Sequence, residues 1–154
     1  MAPAIAIHGG AGTIRRAEMT AARAALYKDA LGQALEAGHA VLQGGGTALD
    51  AVTAAVVAME DSPLFNAGRG AVYNADARHE LDAAIMDGKT LRAGAVACVG
   101  RVRNPVLAAR AVMEHSGHVL LAGRGAERFA DKQRLQMVNQ KYFATAARLE
   151  ALQR

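Results

Sequence analysis

Two apolar runs, residues 81–86 and 91–99, are separated only by Asp87-Gly88-Lys89-Thr90. Asp-Gly between such runs is a hairpin signal. Neighbours paired in this way exclude a purely parallel sheet and predict a mostly antiparallel or mixed one with helices layered around it. Neither run alternates with polar residues, so both faces are expected to be covered. The expected arrangement is two sheets packed together with helices outside.

The elements around the hairpin follow from spacing. Residues 4–7 form a short apolar run that stops at His8 and the loop Gly9-Gly10-Ala11-Gly12, and read as an interior strand. Over 20–43, Ala24, Tyr27, Leu31, Ala34, Gly38 and Val41 recur at helical spacing, with Thr20 as N-cap and Gly44-Gly45-Gly46 as the stop. Thr47 opens a second helix with Asp50 three positions on, as in a capping box. Leu49, Val52, Val56 and Met59 are its expected buried stripe, and Pro63 ends it. Residues 62–70 predict a tight loop running into a strand near 71–73. Asn104-Pro105 reads as N-cap and first turn of a helix closed by Gly117. A short strand at 119–122 and a helix over 123–134, anchored by Phe129 and Leu135, complete the order β-α-α-β-β-β-α-β-α. Cys98, within the second hairpin strand, reads as a small buried hydrophobe.

Composition bounds the class. Alanine supplies 37 of the 154 residues and there is no tryptophan, so elements are expected to approach through small side chains. The length suits one domain. No apolar run nears the ~20 residues that span a bilayer. The opening MAPAIAIHGG lacks a basic region and a long apolar stretch, which argues against a secretory signal. With a single cysteine, these features point to a cytoplasmic chain. The charge is uneven: residues 1–77 carry five Lys/Arg and seven Asp/Glu, a balance of −2, and residues 78–154 carry thirteen and seven, a balance of +6. A non-enzymatic basic domain that binds nucleic acid is the rival reading. The charges are dispersed and no recognition motif accompanies them, so a solvated basic surface is preferred.

Three groups of residues carry possible chemistry. The loop 8–12 after a strand can turn backbone N–H groups toward an anion. It lacks the Gly-x-Ser-x-Gly turn of a hydrolase nucleophile, and neither Gly44-Gly45-Gly46-Thr47 nor Gly123-Arg124-Gly125 completes a phosphate or dinucleotide motif. In Asn66-Ala67-Gly68-Arg69-Gly70, Asn66 offers an amide donor and acceptor on a rigid loop. The same loop can turn several carbonyls onto a hard cation. Glu80, Asp82 and Asp87 with His79 form a conceivable acid–base set. The plainer reading is that Asp87 serves the turn and that His79 and Glu80 sit exposed at a strand edge.

Six segments, in this order, carry a resemblance. They are Ile-Ala-Ile-His-Gly-Gly-Ala-Gly (5–12), Thr-Ala-Leu-Asp-Ala-Val (47–52), Pro-Leu-Phe-Asn-Ala-Gly-Arg-Gly (63–70), Glu-Leu-Asp-Ala-Ala-Ile-Met-Asp-Gly (80–88), Ala-Gly-Ala-Val-Ala (93–97) and Arg-Asn-Pro-Val-Leu-Ala-Ala-Arg (103–110). Together they resemble the plant-type L-asparaginase / isoaspartyl peptidase family of N-terminal nucleophile hydrolases. The resemblance implies an α+β fold, an αββα sandwich completed by a β subunit on another chain. It implies a precursor that cleaves itself, a threonine nucleophile at the new β terminus, and hydrolysis of L-asparagine and β-aspartyl dipeptides. The family's Thr-Val-Gly start of β is absent from these 154 residues, so the chain resembles an α subunit, inactive alone, within an (αβ)2 heterotetramer.

By position, the resemblance makes Asn66, Gly9 and Gly10 the site residues contributed by α. It makes Met59, Glu60, Ser62, Phe65, Ala67 and Arg69 a loop that binds a structural sodium ion through backbone oxygens. It divides the chain into an α-subunit part at 1–135 and a mobile tail at 136–154 that precedes the cleavage point. No organic cofactor, nucleic acid or membrane is implied. Glycosylasparaginase-like and taspase-like threonine hydrolases are the nearest alternatives.

Overall fold

The computed structural model describes residues 3–10 and 19–153. Helix α1 (Ala21–Gln43) starts at Thr20, whose side chain accepts the Arg23 N–H, and stops at the glycine triplet. Its buried positions, Ala34 and Gly38, lie on the expected face. Helix α2 (Ala48–Asp61) has the full capping box. The Thr47 hydroxyl accepts the Asp50 N–H at 3.1 Å, and the Asp50 carboxylate accepts the Thr47 N–H at 3.4 Å and its hydroxyl at 2.7 Å.

The buried face of α2 differs from the expected stripe. Ala51, Thr53, Ala55 and Glu60 are buried, whereas Val52 stays 39% exposed. The helix packs along α1 and touches α3, and the close approach of α1 selects small residues over Val52. Gly38 of α1 shows how close. A Cβ there would meet the Ala51 carbonyl oxygen at 2.8 Å and the Ala55 Cβ at 3.2 Å.

Strands β1 (Leu81–Met86) and β2 (Ala93–Val99) pair antiparallel, as the hairpin signal predicts. β3 (Leu120–Ala122) joins β2 in parallel, giving one mixed sheet in the order β1-β2-β3. Helix α3 (Pro105–His115) packs on one face of it, over Leu81, Ile85 and Val96. Gly94 lets it do so, since a Cβ there would stand 2.5 Å from the Met113 nitrogen. Helix α4 (Gly123–Lys132) follows β3 and buries Ala126 and Ala130.

Four expectations change. Residues 4–7 form no strand; the described chain offers them no ladder partner, and Ile5 lies instead against Gly38 of α1. Residues 71–73 form no strand either, because side chains take the backbone groups of Val72: its N–H goes to Asn66 and its carbonyl to His79. Cys98 is exposed, at φ +53. The register shifts between the pairs Leu81↔Val99 and Ala83↔Val96, which places one extra residue on β2, and the displaced Cys98 N–H donates to the Asp82 carboxylate at 2.8 Å. Among the described residues there is one sheet, not two.

The segment expected as a tail is tied to the body as far as Arg148. Met137 bridges to Val102, a 3-10 turn spans Gln140–Tyr142, Phe143 is fully buried, and helix α5 (Ala146–Leu152) follows. Gly70 is held from both sides: its N–H donates to the Phe143 carbonyl at 2.9 Å, and its own carbonyl accepts from Arg148 at 2.7 Å.

Candidate active site

The loop between α2 and β1 is shaped by the end of α2. Asp61 accepts from Arg103, Asn104 and the Tyr142 hydroxyl, all within 3.0–3.2 Å. Burial alone would raise its pKa, but these hydrogen bonds outweigh that and hold it below the ordinary carboxylate range. Asn104 is thus committed to Asp61 and does not cap α3 as expected. Glu60 takes that place: its Oε1 accepts the buried Val106 N–H at 3.0 Å, at the positive end of α3. Its Oε2 has no partner among the described residues, and burial pushes its pKa up to about 7.

Removing this carboxylate orphans a buried donor. Glu60→Ala is therefore expected to cost about 1–3 kcal/mol, whereas Glu60→Gln, which keeps an acceptor for Val106, stays within about 1 kcal/mol of wild type. Denaturant melts of the two variants check this. Equal losses would show that the cap contributes nothing.

Beyond Ser62 the chain turns back on Glu60. The Arg69 N–H donates to the Glu60 carbonyl at 2.7 Å, and Gly68 and Gly70 both take positive φ. The turn presents Asn66 at the surface. Its Oδ1 accepts the Val72 N–H at 2.9 Å, which holds the amide and leaves Nδ2 without a partner among the described residues. Phe65, buried beside it, meets Tyr27 edge-on and backs onto the glycine strip, where a Cβ on Gly9 would stand 3.2 Å from the Phe65 ring and 3.0 Å from Leu31. The fold thus brings Gly9 against the residue next to Asn66. Gly10 follows at φ +109, its N–H donating to the His8 ring at 3.2 Å. Ala11 and Gly12 of the same loop lie outside the described residues.

The acidic set separates. Asp87 organises the hairpin turn, Asp82 holds the bulge, and Glu80 accepts from Asn74. His79 is buried, contrary to the exposed edge expected for it. No pattern in the sequence marked its burial, because its partner is a backbone carbonyl seven residues away. A cleft of about 780 Å³ near α4 gathers Arg78, Arg101, Arg124 and Arg128, interleaved with Glu80 and Glu127, and reaches His79 and Gln140. No helix among the described residues is long and apolar enough to cross a membrane.

An Asparaginase family model matches residues 1–154, and the chain belongs to that family. It is 56% identical over 148 residues to an isoaspartyl peptidase of Salmonella typhimurium, covering 96% of this chain and 47% of that protein. It is 53% identical over 148 residues to an isoaspartyl peptidase of Escherichia coli, covering 96% and 46%. A plant-type L-asparaginase of Thermococcus kodakarensis is 53% identical over 127 residues, covering 82% and 40%. The chain spans less than half the length of these curated relatives.

Proposed function

We propose that this chain is the α part of a self-processed amidohydrolase that releases aspartate from L-asparagine and from β-aspartyl (isoaspartyl) dipeptides. The observation that carries the reading is the placement of the Asn66 amide. Its acceptor is spent on Val72 and its Nδ2 has no partner among the described residues, on an exposed loop packed against the glycine strip. A fixed donor of this kind suits a hydroxyl nucleophile or the oxygen of a reacting amide.

The nucleophile in this reading is a threonine at the amino end of a complementary β polypeptide. Its hydroxyl attacks the amide carbonyl and its own α-amine takes the proton, then passes it to the departing ammonia or amino-acid amine as the C–N bond breaks; water cleaves the resulting ester, releasing aspartate and freeing the hydroxyl. A free α-amine titrates near ~7.7–8.0 and serves as a base at neutral pH, whereas a peptide nitrogen does not. Self-cleavage is what creates that base. The sheet supports a second half. Its face away from α3 presents Ala84, Met86, Ala95 and Leu120, with Met86 and Leu120 each 55% exposed. A sheet from β laid on this face would complete an αββα sandwich, and pairing of two such units gives (αβ)2.

The loop 59–70 is read as the seat of a structural sodium ion. The carbonyls of Pro63 and Phe65 lie 2.5 and 3.0 Å from where a Cβ of Gly70 would stand, so the glycine keeps a small oxygen-lined hollow open. The Glu60 carboxylate is turned to α3, which leaves a neutral carbonyl set suited to a monovalent cation. Backbone oxygens of Met59, Glu60, Ser62, Phe65, Ala67 and Arg69 would hold the ion, which would stiffen the loop carrying Asn66.

The test is reconstitution. The 154 residues alone are expected to release no aspartate from a β-aspartyl dipeptide. Co-expression with a β polypeptide that begins at threonine should give turnover. Turnover by this chain alone would overturn the reading.

A further inference from the structure

His79 is 1% exposed and takes no part in the chemistry proposed above. Its Nδ1 lies 3.3 Å from the Val72 carbonyl oxygen. A carbonyl only accepts, so Nδ1 carries the proton and donates. That fixes one neutral tautomer and leaves Nε2 bare, without a partner among the described residues. Burial pushes the imidazolium below the ordinary histidine range, against the pull of nearby backbone carbonyls. The ring is wedged between Tyr73, 4.1 Å away between centroids, and Phe143, 5.9 Å away.

The backbone of His79 is held as firmly as its ring. Gln140 accepts the His79 N–H at 2.7 Å and donates to the carbonyls of His79 at 3.0 Å and Gly100 at 2.8 Å. Ahead of it, Asn74 accepts the N–H groups of Asp76 and Arg78 and folds the chain back, so that His79 returns to Val72. Val72 is therefore gripped at both backbone groups, its carbonyl by His79 and its N–H by Asn66. Outside a β-ladder, a residue held by two side chains transmits the position of one to the other.

We propose that His79 is a positioning residue for Asn66: by holding the Val72 carbonyl, it fixes the Val72 N–H that aligns the Asn66 amide. The inference rests on the reading of Asn66 given above. His79 itself touches neither substrate nor reacting atoms. Gln140 braces it, which gives the segment after α4 a purpose at the site.

The experiment uses the α/β assembly. His79→Phe keeps the ring volume and removes the donor. It is expected to lower kcat on a β-aspartyl dipeptide about tenfold, with KM changed less than about threefold, as for one lost buried hydrogen bond. His79→Asn retains a donor near the Nδ1 position and should recover most of that loss. In an Asn66→Ala background His79→Phe should change kcat no further.

A full additional tenfold loss in that background would overturn the proposal, because His79 would then act elsewhere. Unchanged kcat in His79→Phe, with Asn66→Ala slow, would overturn it and leave the reading of Asn66 standing. If Asn66→Ala itself is kinetically silent, both fall. Should His79→Phe fail to assemble, nitrogen NMR of the wild-type ring decides: a proton on Nδ1 supports the proposal and a proton on Nε2 overturns it.

Discussion

Gly68→Ala is expected to lower the stability of the chain by about 3 kcal/mol and to remove activity with it. Two costs add. Gly68 sits at φ +45, where an L side chain is strained by about 1–2 kcal/mol. The added Cβ would also run into the end of α2, standing 2.8 Å from both the carbonyl carbon and the Cβ of Glu60. Backbone at a helix end does not swing aside as a flexible side chain does, and overpacking of this kind costs about 1–3 kcal/mol. The neighbouring Arg69 N–H bond to Glu60 would open as the loop moved, carrying Asn66 off position. Thermal melting checks the first effect, with a fall of the order of 10 °C for a chain of this size. Gly88→Ala is the control: a Cβ there meets nothing within 4 Å, and its φ is not positive. That variant should stay within about 0.5 kcal/mol of wild type. If the two substitutions cost the same, the tight turn against α2 is not what shapes the loop.

What the sequence made legible, and what it did not, divides along a physical line. Caps and turns are local. Thr20, the Thr47–Asp50 pair and Pro105 marked helix starts because their effect lies within four residues. The hairpin was legible too, although its turn is not the tight one that Asp-Gly suggests. The Asp87 N–H bonds the Arg92 carbonyl, and it is Leu91, not Gly88, that takes positive φ. Burial was less legible where it depends on the neighbour. On α2 the close approach of two helices, rather than hydrophobicity, chose Ala51 and Ala55 over Val52.

The candidate site followed the same rule. Asn66 and the glycine strip were expected together through a resemblance carried by whole segments, and the fold packs Gly9 against Phe65, the neighbour of Asn66. Glu60 as the cap of α3 and His79 as the support of Val72 were not, because each bonds a backbone group that leaves no trace in residue type. The apparent tail hid for a related reason. Its anchors, Gln140, Tyr142, Phe143 and Arg148, are isolated residues whose partners lie 40 to 81 positions away, and no periodicity connects them.

Asn66→Ala is expected to reduce kcat by about 100-fold while the fold survives. Both halves follow from the one bond the side chain makes within the chain. Asn66 is exposed, and its loss frees the Val72 N–H to water, so the stability cost should be about 1 kcal/mol. The Nδ2 donor, by contrast, has no partner among the described residues; in the proposed role it would donate to a reacting oxygen, where a pre-aligned donor contributes a factor of about 100 or more. Asn66→Asp separates the two roles. An aspartate keeps an acceptor for Val72 and so keeps the loop, but it offers no N–H and brings a negative charge toward a developing oxyanion. It should be as slow as the alanine variant, or slower, with a melting temperature nearer wild type. Steady-state kinetics on asparagine and a β-aspartyl dipeptide, beside thermal melts of the same α/β preparations, read both quantities. Were Asn66→Asp to retain wild-type turnover, the amide donor would have no share in the reaction, and Asn66 would be a loop residue alone.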